Sequence, residues 1–191
     1  MSPARSPSHD RATFWLKIEL QHVAPLVWRR LLVPGGVRLD KLSDIFQATM
    51  GWNNSHLHAF LVGDVSYGML DDDEDGPDDQ RDETEVTVHD ALSGQQRLTY
   101  KYDYGDGWEH EVTVEDMGKQ AFGLKYAVCL EGENACPPDD VGGPSGYGDF
   151  LAAIADPTGQ GHRLAMEWNG GSFDPAAFDL VATNAELQRI R

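Results

Sequence analysis

Basic residues are scarce in this chain. Fifteen lysines and arginines stand against 32 aspartates and glutamates, a formal charge of −17 over 191 residues. A field of that sign repels phosphate backbones, so general nucleic-acid binding is disfavoured. The one dense basic spot is Arg29-Arg30, with Arg38 and Lys41 nearby. A DNA accessory role through Arg29 and Arg30 is therefore the weakest functional reading. Cysteine is nearly absent: two residues, with no secretion signal, point to reduced thiols in a cytoplasmic protein rather than a disulfide framework. Cys129-x6-Cys136 is not a zinc-finger or ribbon spacing, and a site there needs two more ligands, with His162 or Asp139 as candidates. No apolar run is long enough to span a membrane, so no membrane partner is expected. Also missing are a Gly-x-Ser-x-Gly elbow, a Walker loop, a dinucleotide fingerprint and His-Glu-x-x-His.

What is there suits a folded globular domain. Hydrophobic residues make up 40% of the chain, and it carries five tryptophans. Residues 1–11 are Pro/Ser-rich and read as a loose tail, leaving 12–191 as one domain. Phe14, Leu16, Ile18 and Leu20 alternate with polar or bulky neighbours, which predicts a first strand, and 26–33 predicts a second. Leu39, Leu42, Ile45, Phe46 and Thr49 follow helical spacing and Gly51 supplies a stop, so 38–50 is an amphipathic helix. Residues 56–62 predict a third strand, 85–89 a short one, and 126–130 another. The last third reads as helices at 146–155, 160–168 and 175–187, the third starting on Asp174-Pro175. Residues 71–85 hold ten acidic residues against one arginine and read as a solvated loop. Asp71-x-Asp73-x-Asp75-Gly76 opens like an EF-hand, but Pro77, Asp78 and Asp82 spoil the rest. Residues 132–148 form a long Gly/Pro loop, a type that is often functional.

The stretch 98–115 is a hairpin with one aromatic and one polar face per arm. A three-residue Gly105-Asp106-Gly107 loop pairs Tyr104 with Trp108, Tyr102 with His110 and Lys101 with Glu111, with Gly107 at a left-handed position. This register forces His110 onto the apolar face. His56 and His58, two apart on a strand, share a face. With His110 and Asp103 they are the candidate ligands of a divalent metal such as zinc. The competing reading makes the three histidines hydrogen-bonded core residues, and the rings around His110 favour it.

The segments VWRRLLVP (27–34), MGWNNSHLHAF (50–60), YDYGDGWEHEV (102–112), the 129–157 stretch and EWNGGSFDPAAFDL (167–180) together resemble the plasmid pRiA4b ORF-3-like family, also described as insertion-element passenger TnpR-type proteins. The resemblance covers about residues 12–182. It implies a compact α+β domain found near mobile elements, with no particular catalytic activity attached. Neither a serine- nor a tyrosine-recombinase constellation is present. Members of that family often carry cysteine where this chain has Val141, so a shared three-cysteine metal site is not expected here.

These readings combine into an α+β single domain. Its mostly antiparallel sheet has five or six strands, packed with the 38–50 helix and the C-terminal helices. The expected role is a non-enzymatic binding or adaptor domain with a protein partner and no cofactor. The candidate contact surface is Tyr102, Tyr104, Asp106 and Trp108 with Pro137, Pro138 and Tyr147. The alternative is a metal-dependent hydrolase or nuclease using His56, His58, His110 and hairpin carboxylates.

Overall fold

Alternation along the strands builds one wide sheet with a buried face. Phe14, Leu16, Ile18 and Leu20 of β1 (Ala12–Leu20) are all buried, as are Leu31 and Val33 of β2 (Trp28–Pro34). Helix α1 (Leu39–Met50) lays Leu39, Leu42, Ile45 and Phe46 into the same core and ends at Gly51. Next come β3 (His58–Val62), β4 (Val65–Gly68) and β5 (Arg81–Asp82), a 3₁₀ turn at Glu83–Glu85, and α2 (Val88–Leu92). The hairpin β6 (Arg97–Tyr102) and β7 (Trp108–Lys119) is followed by β8 (Val128–Glu133). Helices α3 (Gly143–Ile154), α4 (Gln160–Trp168) and α5 (Leu180–Leu187) complete the chain. This computed structural model describes residues 12–70, 80–119 and 124–190. The expected tail 1–11 and the acidic residues 71–79 lie outside the described residues.

The α+β class holds, but the sheet has eight strands in the order β5-β4-β3-β6-β7-β1-β2-β8, not five or six. It is mixed: β5 runs parallel to β4, and the other neighbours pair antiparallel. The expectation missed β4 and β5 because they are short. β4 follows β3 across a two-residue Gly63-Asp64 turn, and β5 is only two residues long inside the acidic stretch. That stretch is therefore not all solvated loop, since Glu83 is buried. The expected strand at 85–89 is instead a 3₁₀ turn running into α2, where the Thr87 side chain caps the Asp90 amide. The third C-terminal helix starts at Leu180, later than expected. Asp174 heads only a turn, whereas Asp179 accepts the amides of Val181 and Ala182. Helix α5 also guards the sheet edge. Asn184 accepts the Cys129 amide and donates to the Cys129 carbonyl, filling hydrogen-bonding positions that β8 would otherwise expose.

Arg29 locks these layers together. It is 2% exposed, and its guanidinium donates to the carbonyls of Thr49, Trp28, Glu133 and Asn134 while stacking on Phe178 at 4.1 Å. These bonds tie β2 to the end of α1 and to the exit of β8. A buried charge is tolerable only with such saturation. Arg30 faces out and engages Glu115 and Glu131. Both members of the basic pair are thus engaged by partners within the protein.

The hairpin register is two residues away from the expected one. Tyr102 opposes Trp108, Tyr100 opposes His110 and Lys101 opposes Glu109. A slip of two keeps every side chain on its expected face, so the aromatic face survives. The cause is Asp103, which turns left-handed at φ 53°. Its Oδ1 accepts the amides of Gly105 and Asp106, and its carbonyl accepts the Gly107 amide at 2.6 Å. Its own amide goes to the Leu57 carbonyl. The strand therefore ends at Tyr102, and the loop spans 103–107.

Gly107 is left-handed at φ 71°, and a Cβ there would meet nothing within 4 Å. Its constraint is conformational rather than steric. Gly107→Val should destabilise by roughly 1–2 kcal/mol and Gly107→Asn by clearly less, measured by denaturant unfolding. Equal costs would show that φ is not the constraint.

His110 is fully buried, and its Nδ1–H donates to the Tyr100 carbonyl at 3.1 Å. Burial pushes its pKa down to about 4, against the raising effect of that carbonyl. The unfolded chain, with a histidine near 6.5, then binds the extra proton between those values. Stability attributable to His110 is complete above pH 6.5 and falls as pH drops toward 4. The difference in unfolding free energy between wild type and His110→Gln should shift by about 3 kcal/mol across that window. A difference flat from pH 7 to 4 would contradict it.

Candidate functional site

The alternative three-histidine metal site does not assemble, in line with the core reading of His58 and His110. His110 lies in the core beneath Trp52, with ring centroids 5.5 Å apart. His58 opens β3, and its Nε2 meets Glu83 at 2.9 Å in a buried pair. His56 precedes the strand instead of belonging to it, so it does not share His58's face. The reason is local: Asn54 is left-handed at φ 57°, and the chain becomes extended only at His58.

His56 points elsewhere. Its Nε2 lies 3.6 Å from Asp103 Oδ2 and 3.3 Å from Asp140 Oδ1. Of the expected ligands, then, the structure brings together His56 and Asp103, leaves out His58 and His110, and adds Asp140. Nothing in the sequence marked Asp140 beyond its place in the 132–148 loop. The position becomes visible only when that loop is seen to dock on the hairpin tip.

Three segments meet at this junction: the 51–57 connection, the 103–107 hairpin loop and the 134–142 stretch. Trp52 sits at the centre. Its ring stacks on Tyr102 at 5.0 Å and 27°, and packs against Trp108 at 5.6 Å. Its Nε1–H donates to the Pro137 carbonyl at 2.9 Å. Asp106 adds a second tie, its Oδ2 accepting the Gly142 amide at 3.1 Å. Gly143 is needed here, because a Cβ on it would run into the Asp106 carbonyl. The Gly142-Gly143 pair is thus a close-packing device at the start of α3.

Four aspartates, 103, 106, 139 and 140, crowd into this junction around His56. The Asp139 carboxyl is held above the usual range, first by burial and then by its neighbours Asp140, Asp103 and Asp106, with His56 opposing. Like charges are thus held together in a partly desolvated space.

The surface expected from the hairpin aromatics is corrected. Tyr102, Trp108, Pro137 and Tyr147 are buried and serve as core. Trp52 claims the hairpin's apolar face, and the Phe173 ring meets Tyr147 edge-on at 6.3 Å. Tyr104 and Asp106 remain accessible, and Pro138 is half-buried. Leu57, half exposed beside the tip, joins them. Cys129 and Cys136 are free thiols. Burial pushes Cys129 up to about 11 and raises Cys136 as well, so both stay protonated and unreactive at neutral pH. His162 donates to or accepts from no thiol; its Nδ1 meets the Ile154 carbonyl. Among the described residues no helix is long and apolar enough to cross a membrane.

Comparison with known proteins agrees with the motifs. An uncharacterized protein, y4hQ, of Sinorhizobium fredii (strain NBRC 101917 / NGR234) is 43% identical over 179 residues, covering 92% of this chain and 90% of that protein. A crystal structure of a protein of unknown function, MM3350 from Methanosarcina mazei Go1, superposes with a TM-score of 0.80 at 28% identity, covering 90% of this chain and 97% of the other. The sequence pattern of the plasmid pRiA4b ORF-3-like proteins matches residues 12–182, and the chain therefore belongs to that family.

Proposed function

We propose that this is a non-enzymatic binding domain of the plasmid and mobile-element neighbourhood, and that its contact surface is the hairpin tip. The observation that carries this reading is Tyr104. It is 57% exposed on a hydrogen-bonded loop, and Leu57, whose carbonyl accepts the Asp103 amide, is 50% exposed. Asp103 holds the loop from within, and Asp106 anchors it to the start of α3. A rigid aromatic loses little conformational freedom on binding, which is why such residues serve as interface anchors. The rim is acidic: Asp106 and Asp140 flank the tip, in a chain of charge −17. The matching partner is a protein segment with an apolar side chain for Tyr104 and lysine or arginine around it. Nucleic acid is the poorer fit, since Arg29 is buried on backbone carbonyls and Arg30 is already paired with Glu115 and Glu131. The hydrolase reading loses two of its three histidines to the core.

Selection of displayed peptides on the purified protein tests this. Enriched peptides should be basic, and their binding should weaken with salt. Tyr104→Ala should reduce affinity at least tenfold, about 1.4 kcal/mol, while Val181→Ala on exposed α5 should not. Peptides that ignore Tyr104→Ala, or none at all, would contradict it.

A further inference from the structure

We infer that His56, Asp103 and Asp140 form a binding site for one first-row divalent transition-metal ion. One ligand atom from each lies within 4.8 Å of the other two. The three come from three separate segments, so their meeting is a product of the fold rather than of sequence proximity. The spacings suit coordination. Ligands about 2.1 Å from a metal, on tetrahedral or octahedral corners, stand roughly 3–3.5 Å apart. His56 Nε2 lies 3.3 and 3.6 Å from its two carboxylate oxygens and makes a directed hydrogen bond to neither.

Asp103 supplies independent support. Its side chain is only 10% exposed. Oδ1 is engaged by the Gly105 and Asp106 amides, which fixes the plane of the carboxylate. Oδ2 lies 3.6 Å from His56 Nε2 and accepts no hydrogen bond among the described residues. Its negative charge sits close to that of Asp140, and a cation between them would offset the repulsion. The Tyr102 ring meets the His56 ring edge-on at 5.8 Å and limits its rotation.

The donor set selects the class of ion. One imidazole and two carboxylates suit zinc, iron, cobalt or manganese, whereas calcium and magnesium favour all-oxygen sites. Three protein ligands leave at least one position for water. Bound there, the ion would join the 51–57 connection, the hairpin loop and the 134–142 stretch.

Titration of the full chain with Co²⁺, followed by visible absorption, and with Zn²⁺, followed by calorimetry, tests the site. One equivalent should bind, with Zn²⁺ preferred over Ca²⁺ by at least a hundredfold. His56→Gln and Asp140→Asn should each weaken binding tenfold or more. Both positions tolerate the change without metal: His56 is partly exposed, and asparagine accepts the left-handed backbone of Asp140 at φ 57°. Unchanged metal-free melting temperatures would confirm that the variants fold. No saturable binding, binding that both variants retain within threefold, or a preference for Ca²⁺ would overturn the inference. Peptide capture with chelator present keeps this test separate from that of the binding surface.

Discussion

The indole of Trp52 is the contact through which the hairpin and the 134–142 stretch find each other. Its ring covers Tyr102, Trp108 and His110, and its N–H reaches across to the Pro137 carbonyl. A buried indole N–H needs a partner, so choosing Pro137 fixes where the 134–142 stretch can lie. Once that stretch is in place, Asp106 can take the Gly142 amide, and Asp140 comes within reach of His56. Arg29 does the corresponding work on the other side, pinning the exit of β8 with bonds to Glu133 and Asn134. The 134–142 stretch is thus held near its start by N–H donors of Arg29 and Trp52 and at its end by Asp106, which accepts the Gly142 amide.

That arrangement concentrates negative charge where backbone geometry is least ordinary. Asp103 and Asp140 both adopt left-handed conformations, as do Gly107, Gly142 and Gly143. Left-handed residues make the chain turn sharply and bring side chains from separate segments together. Carboxylates gathered this way repel one another, and the His56 imidazole stands between two of them. The fold tolerates the arrangement because Asp103 and Asp106 are each bonded to backbone amides. The cluster and the exposed Tyr104 share one small tip, so recognition and ion binding would act on the same three segments.

Much of this was legible in the chain, and the losses have physical causes. The alternation of Leu98, Tyr100 and Tyr102, and of Trp108, His110 and Val112, assigns every face of the hairpin. It cannot assign the register, since a slip of two leaves the faces unchanged. The register was decided by the Asp103 side chain closing a turn, a choice equally open to other aspartates nearby. Helix α1 was readable because Leu39, Leu42, Ile45 and Phe46, with Thr49, share one stripe. Helix α5 was misplaced because Asp174-Pro175 carries the stronger start signal, while the functioning cap is Asp179. His56 and His58 seemed to form a pair because strand alternation was extended two residues too far. Trp52 was visible as one tryptophan among five. Its role depends on contacts 50 to 85 residues away, which no local pattern encodes. The same holds for Arg29, which looked like surface charge beside Arg30 and is the most buried cation among the described residues.

Native-state amide hydrogen exchange on wild type and Trp52→Phe tests the central claim that Trp52 organises the junction. Phenylalanine keeps much of the ring packing but removes the bond to Pro137. In the wild type the amides of Asp103, Gly107 and Gly142, bonded to Leu57, Asp103 and Asp106, should exchange slowly. In Trp52→Phe the Gly142 amide should lose protection while Val112 in the middle of the sheet keeps it. A Gly142 amide that exchanges freely in the wild type, or one indifferent to the substitution, would contradict the account.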